Sequence, residues 1–569
     1  MKTFSRTLGL AVLAAAFMPS FLTAQSVGGV EDLKWRFDGS ALFEEFGHAV
    51  DGAGDVDRDG FDDIIVGAWG ANQGFNSAAG AAFVYSGATG AQLYRINGSN
   101  TNDQLGFSVA GAGDLDGDGF SDFLVGSFGA DPNGVTDAGS VLVYSGRLGN
   151  QLFSLHGASI ADAFGYALAS AGDVNADGTP DFIVGSLLTD VNGFIQVGSA
   201  FVYSGATSAL LYRFDGEADF DDFSFSVDGA GDVNGDGFAD LIVGSVLADP
   251  NGSLDAGSAF VYSGATGLQL YRFDGAFAGD AMGSAVAGVG DVNGDGFDDI
   301  AVGALSADPN GVTDAGSVFI YSGATGAQLY RFDGTNVSDR LGLSVDGAGD
   351  ADGDGFSDFL IGDWSADPNF LLNAGSASVY SGATGAEIFH FDGTTSGDFL
   401  GRAVAAAGDI DGDGRPDFIL GSDQAAPNGR MQAGSAFVYN YNPILNASAN
   451  TLSVSAGGTI DYTIDFPDTD GRLDYRMLLS LQGTGPTSIR GLLIPLSMDN
   501  ILMDSLHGIT PAQGLGFQGM LSVRGQALAH FTAAPGSIPL SLVGRSLFLA
   551  VVNSSLDVSS VARKIDFVQ

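Results

Sequence analysis

The chain has 569 residues, of which 88 are glycine and none cysteine, and a formal net charge of −47 at pH 7. That length exceeds one ordinary domain and predicts a large repetitive unit plus at least one further domain. The charge argues against nucleic acid as a partner, since a phosphate-binding surface needs concentrated Lys and Arg, and makes cations the natural partners.

The first residues place Lys2 and Arg6 before an apolar run from about Leu8 to Met18 and small residues around Ala24. That order predicts a secretory signal peptide over 1–25, with a mature chain starting near Gln25 or Ser26. The alternative is an N-terminal membrane anchor, for which the run is short. An exported chain without cysteine must draw its stability from core area, ring closure or metal. No transmembrane span is expected after removal of the signal, because the longest later apolar stretch is interrupted by Arg545.

A repeat then dominates. Its first aspartates fall at Asp55, Asp114, Asp173, Asp232, Asp291, Asp350 and Asp409, always 59 residues apart. Each copy contains four short segments rich in β-branched and aromatic residues, as in GFSVAGAG, DFLVGSF, SVLVYSG and QLYRFDG, separated by Gly, Asp, Asn and Pro. Four strands per copy follow. The outer-strand segment already appears at Trp35–Gly39, before any Asp-rich loop, while the last copy stops after its third strand, Ala436–Tyr439. Seven complete sets exist only if the N-terminal segment completes the last one, and that split requires a closed ring. The predicted fold is all-β: a seven-bladed β-propeller over 33–442 closed by the N-terminal strand.

Between the first and second strand of each copy lies D-x-[DN]-x-D-G-x-x-D. Alternate positions of a tight loop aim oxygens at one centre, Gly permits the sharp turn, and calcium takes six to eight oxygen ligands. The candidate ligands, with the seventh-position residue offering its carbonyl, are Asp55, Asp57, Asp59, Phe61 and Asp63 in the first loop and Asp114, Asp116, Asp118, Phe120 and Asp122 in the second. The third and fourth offer Asp173, Asn175, Asp177, Thr179 and Asp181, then Asp232, Asn234, Asp236, Phe238 and Asp240. The fifth and sixth offer Asp291, Asn293, Asp295, Phe297 and Asp299, then Asp350, Asp352, Asp354, Phe356 and Asp358. The seventh offers Asp409, Asp411, Asp413, Arg415 and Asp417. Thr179 and Arg415 replace an aromatic residue, which matters little if only the carbonyl is used. The loops resemble the first nine positions of an EF-hand, without its twelfth-position acid or flanking helices, so the ninth-position Asp is expected as the late ligand. Asp and Gly are also common in solvated turns, but turns do not require four oxygens at fixed spacing in every copy. Carboxylates about 4 Å apart repel by about 4 kcal/mol at an effective dielectric near 20, so a metal-free loop would be strained. Magnesium fits less well because it demands stricter octahedral geometry. Ca2+ at about seven sites is the expected cofactor.

With Phe46-Gly47, the Gly52-Ala53-Gly54 segment and the loop from Asp55 to Asp63, the chain resembles the FG-GAP repeat of integrin α-subunit propellers and of their bacterial and archaeal relatives. The resemblance covers about residues 33 to 442. Leu105-Gly106, Phe223-Ser224, Met282-Gly283, Leu341-Gly342 and Leu400-Gly401 depart from the Phe-Gly pair and look like packing variants. The resemblance implies a secreted or cell-surface protein engaged in adhesion or ligand recognition, with calcium on the lower face and an unknown extracellular protein or glycan on the upper. The upper face should carry the variable blade-to-blade loops and the DPNG loops, such as Asp131 to Gly134 and Asp249 to Gly252; solvated linkers and simple turns are the alternatives. The propeller is expected to be monomeric.

From 443 to 569 the repeat vanishes, and segments such as SLFLAVVN predict a β-sandwich-like domain. No enzyme is expected. Glu44, Glu45 and Glu217 fall in apparent surface loops, and His48, His156, His390, His507 and His530 form no zinc spacing. A purely structural surface or matrix protein, or less readily a carbohydrate-active enzyme, is the alternative function. A unique polar cleft on the upper face would favour an enzyme, an aromatic or basic patch ligand binding, and a featureless rim a scaffold.

Overall fold

The computed structural model describes residues 33–440 throughout and, outside them, the backbone of 30–32, of 441–442 and of short strands between 445 and 568. The expected signal peptide lies outside the described residues. The first repeat folds as β2 (Phe46–Gly54), β3 (Asp63–Ala68), β4 (Ala81–Tyr85) and β5 (Gln92–Asn97), hydrogen-bonded in that order as an antiparallel sheet. Every residue of β3 is buried, whereas none of β5 is, its residues being exposed or half-buried. The second strand of each repeat is therefore a continuous apolar run because both its faces meet neighbouring blades, and the fourth is the outer edge. Seven such four-stranded sheets form the blades of a propeller.

The last blade is completed as the sequence requires. Its order runs from β1 (Val30–Asp38) through Ser435–Asn442 and Asp417–Ser422 to Ala403–Gly408. β1 pairs with Ser435–Asn442 from Val30 opposite Asn442 to Asp38 opposite Ser435. The closing contact matches those inside the continuous chain: Phe37 stacks on Tyr85 at 4.0 Å, as Phe214 does on Tyr262 and Phe273 on Tyr321. Apolar burial is distributed over the interfaces between blades rather than gathered in one centre. Ile410, Ile419 and Val438 of the seventh blade pack against Phe46, Ile64 and Val66 of the first, in the same manner as the internal pairs. Three inner strands add polar staples. Asp51, Asp228 and Asp346 each accept a backbone N–H from the next blade, that of Gly111 at 3.0 Å, Gly288 at 3.0 Å and Ala406 at 2.9 Å.

Close approach fixes one glycine in every repeat, the one ending RFDG. A Cβ on Gly275 would stand 1.9 Å from the carbonyl oxygen of Ala256, and on Gly98 1.8 Å from that of Ala79. Backbone cannot yield as a flexible side chain would. Gly275→Ala is expected to destabilise the propeller by about 3 kcal/mol or more, read as a lower denaturant midpoint.

Beyond the propeller, strands pair as a three-stranded sheet containing Gly458–Asp465 and a five-stranded sheet containing Ser546–Asn553. Among the described residues, no helix is long and apolar enough to cross a membrane.

Candidate metal centre

The second loop shows how the aspartates are held. Asp114 Oδ1 accepts the Asp118 N–H at 3.0 Å and Oδ2 the Gly119 N–H at 2.8 Å, and Asp118 Oδ1 accepts the Phe120 N–H at 3.2 Å. Gly119 takes φ +85°, the left-handed turn that its position in the motif predicted, and Gly117 takes φ +75°. The fourth loop position thus also needs the left-handed region. Arg58 and Ala176 occupy it at φ 61° and 56°, a constraint that residue type had hidden.

Asp122 ends the loop fully buried. Its Oδ2 accepts the N–H groups of Leu115 at 2.8 Å and Asp116 at 3.3 Å, and its Oδ1 that of Gly146 at 2.9 Å, in the turn between the third and fourth strands. The ninth-position carboxylate is therefore a backbone clasp as well as a potential ligand. The same clasp recurs at Asp63, Asp181, Asp240, Asp299 and Asp358.

Carboxylate oxygens lie within 4.8 Å of one another in four loops: Asp55, Asp57 and Asp63; Asp114, Asp116 and Asp122; Asp350, Asp352 and Asp358; Asp409, Asp411 and Asp417. In the three others the third-position Asn donates its amide to the ninth carboxylate, Asn175 to Asp181 at 3.1 Å, Asn234 to Asp240 at 3.0 Å and Asn293 to Asp299 at 3.0 Å. To face a cation these amides would turn over and present oxygen. The donor set fits a hard dication: all the side-chain groups are oxygen donors, and Asp350 Oδ1 is buried with no hydrogen-bond partner. In that case Asp55, Asp57, Asp59, Asp63 and their counterparts would hold it.

Burial pushes the ninth-position carboxyls up, Asp63 to about 7 and Asp122, Asp181, Asp240 and Asp299 to about 6, from an ordinary value of 3.8. The metal-free native state then binds more protons than the unfolded chain between about pH 4 and pH 7, so its stability falls as pH rises through that window. Metal-stripped protein is expected to melt higher at pH 5 than at pH 8, and calcium to narrow or invert the difference by displacing those protons. Melting curves at both pH values, with and without calcium, check this.

The FG-GAP repeat family matches residues 105–144, 282–321 and 400–439. All three windows begin at the same phase of the 59-residue repeat and run from the first strand, through an aspartate loop, to the end of the third. The chain is an integrin-α-like FG-GAP propeller. It is 31% identical over 249 residues to integrin alpha-V of Gallus gallus, a match covering 41% of this chain and 23% of that integrin. Integrin alpha-5 of Xenopus laevis is 31% identical over 245 residues, 39% of this chain and 22% of its own length. The chain thus matches less than a quarter of these relatives.

Three of the departures from Phe-Gly, at Leu105, Met282 and Leu400, lie inside matched FG-GAP windows. At the fourth blade Ser224 holds φ +72° where other blades have glycine, and its hydroxyl donates to Ser199 O at 2.9 Å.

The structure corrects two further readings. The seventh-position aromatic of an FG-GAP loop matters beyond its carbonyl, because its ring lies against the fourth position of the preceding loop: a Cβ on Gly412 would stand 2.7 Å from the Phe61 ring, and one on Gly235 2.6 Å from Phe297. Arg415 instead reaches the preceding loop by donating from Nη1 to Ala351 O at 2.7 Å. The loops also join through backbone, Ser121 N–H to Asp55 O at 3.0 Å and Asp62 N–H to Asp409 O at 3.1 Å. Glu44, read as a surface acid, is 2% exposed and accepts the Ala41 N–H at 2.7 Å. It is the first blade's version of Asp103, Asp162 and Asp221, which cap the corresponding blade-to-blade loops. Glu217 is exposed and paired with Arg272 at 2.8 Å.

At the opposite end of the blades, the DPNG loops do join the blade-to-blade loops: Ala161 N–H donates to Thr136 O at 2.9 Å and Gly279 N–H to Leu254 O at 2.9 Å. The surrounding rim is not featureless. Phe75, Ile160, Phe277, Val337 and Phe370 are exposed there, and aromatic residues Phe107, Tyr166 and Phe225 follow one another on three successive blades with ring centroids 4.9 Å and 5.8 Å apart. Glu45, His48 and Asp423 also meet at this end. His156 and His390 lie instead on the outer strands of the second and sixth blades. His390 stands where other blades carry the Arg of RFDG. Its hydrogen bond to Glu387, followed by the nearby Asp392 charge, raises its pKa to about 9, so it keeps the positive charge.

Proposed function

We propose that this is an exported propeller, secreted or held at the cell surface, that carries about seven calcium ions in its aspartate loops and recognises an extracellular protein or glycan with the opposite face. In this reading residues 1–25 are removed as a signal, 33–442 form a monomeric binding module without catalytic activity, and 443–569 form a separate sandwich-like domain. The ligands of each ion are the first, third, fifth and ninth side chains and the seventh carbonyl of each loop.

The observation that carries the reading is the division of labour between the two ends. The carboxylates, already bonded to one another's backbone, occupy one end, while most exposed large apolar side chains occupy the other. Large apolar side chains exposed around one end suit an interaction surface where they adjoin. Similarity to integrin α chains supports adhesion as the class of interaction. Glycan-array and extracellular-matrix pull-down binding by the whole protein, with and without calcium, tests it: saturable binding weakened by Phe75→Ser with Phe370→Ser is expected. Binding to no ligand, or binding unaffected by these changes, contradicts it. The polar group at Glu45, His48 and Asp423 favours the carbohydrate-active alternative, and release of soluble sugar from a bound glycan would select it.

A further inference from the structure

The seven-fold repeat is broken chemically at one interface, where the first blade closes against the seventh. Glu45 and His48 precede and begin β2, and Asp423 follows the second strand of the last blade. One donor atom of each lies within 4.8 Å of the other two. His48 Nδ1 is 3.0 Å from Asp423 Oδ2. Asp423 is 3% exposed, and its Oδ1 is buried with no hydrogen-bond partner. A buried carboxylate oxygen without a donor is costly unless something else meets it.

Blade packing does not require this trio. Stepping by 59 residues, the same three positions hold Gln104, Phe107 and Trp69 at the next interface, and Ala281, Ser284 and Val246 at another. None of the six other interfaces brings together two carboxylate or imidazole groups. The surroundings are apolar on one side, with Phe107 4.7 Å and Trp69 5.9 Å from the His48 ring. On the other side the Arg402 guanidinium, 5.5 Å over Trp364, places Nε 3.7 Å from Asp423 Oδ2 and offsets one of the two carboxylates.

An imidazole with two carboxylates is a different donor set from the all-oxygen loops. Nitrogen donors suit borderline transition dications, and three protein ligands leave a fourth position open. The aspartate loops start at Asp55, at the far end of β2 and about 20 Å away by strand rise. We infer that Glu45, His48 and Asp423 form a second metal site, for a zinc-class dication, at the end of the blades opposite the aspartate loops. Such an ion ties the start of the first blade to Asp423 of the seventh, 375 residues further along the chain than His48.

Cobalt(II) serves as the probe, titrated into the full-length mature protein in calcium excess so that the hard-ion loops are saturated. One equivalent is expected to bind, to quench the fluorescence of nearby Trp69, and to be displaced by zinc. His48→Phe, which installs the residue found at the equivalent position of the second blade, should weaken cobalt binding at least tenfold. Asp423→Asn, which keeps shape and hydrogen bonding, should do the same if His48→Phe fails to fold. Absence of quenching in the parent protein, or equal cobalt affinity in a folded variant, overturns the assignment.

Discussion

Stripping calcium is expected to lower the thermal midpoint by about 10 to 20 °C, the largest single effect foreseen for this protein. Extracellular calcium modules bind with Kd of about 10⁻⁴ to 10⁻³ M, so at about 10 mM calcium each occupied loop adds about 1.4 to 2.7 kcal/mol to the native state. Seven independent loops together contribute roughly 10 to 19 kcal/mol, which spread over the unfolding entropy of about 400 residues gives that shift. The sign follows from the geometry. Without a cation, the carboxylates of Asp114, Asp116 and Asp122 converge with only backbone N–H groups to offset them. Loops with a third-position Asn carry one charge less and already spend that amide on the ninth carboxylate. Chelator titration should accordingly empty the third, fourth and fifth loops before the other four. Scanning calorimetry with and without chelator checks the size, and superimposable curves would remove metal from the account of stability.

Asp240→Ala should destabilise the protein by about 3 to 5 kcal/mol even in chelator, the second large effect. Asp240 is fully buried, and truncation would orphan the N–H groups of Val233 and Gly264 as well as the Asn234 amide. Asp236→Ala is the contrast. Asp236 stands in the exposed part of the loop and accepts the Phe238 N–H at 3.1 Å. Its loss should cost under about 1 kcal/mol in chelator and show fully only when calcium is present. Urea titrations of both variants in both conditions separate clasp from ligand. Equal behaviour of the two would mean that the ninth-position Asp is a ligand alone.

The repeat made the blade count and the ring legible, because a spacing of 59 residues and a fourth strand displaced to the N-terminus leave no other way to complete seven sheets. The Asp-rich loops were legible as places where oxygens converge. What residue type could not convey is which oxygen faces backbone. Asp122 and Asp118 are the same residue at alternate places in one motif, yet only Asp122 reaches across to Gly146, in a turn 24 residues further on. Glu44 escapes recognition for a related reason: a Glu stands where the other blades have Asp, which hides its place in the repeat. The Glu45, His48 and Asp423 group was invisible because 375 residues separate His48 from Asp423, and only closure of the ring brings them together.

Calcium counting by native mass spectrometry of the mature protein tests the central claim most directly. Seven calcium ions are expected, falling to six when Asp114 and Asp116 of one loop are both replaced by Asn. A protein that retains no calcium at millimolar concentration, or a count unchanged by that double replacement, would contradict the assignment of the loops.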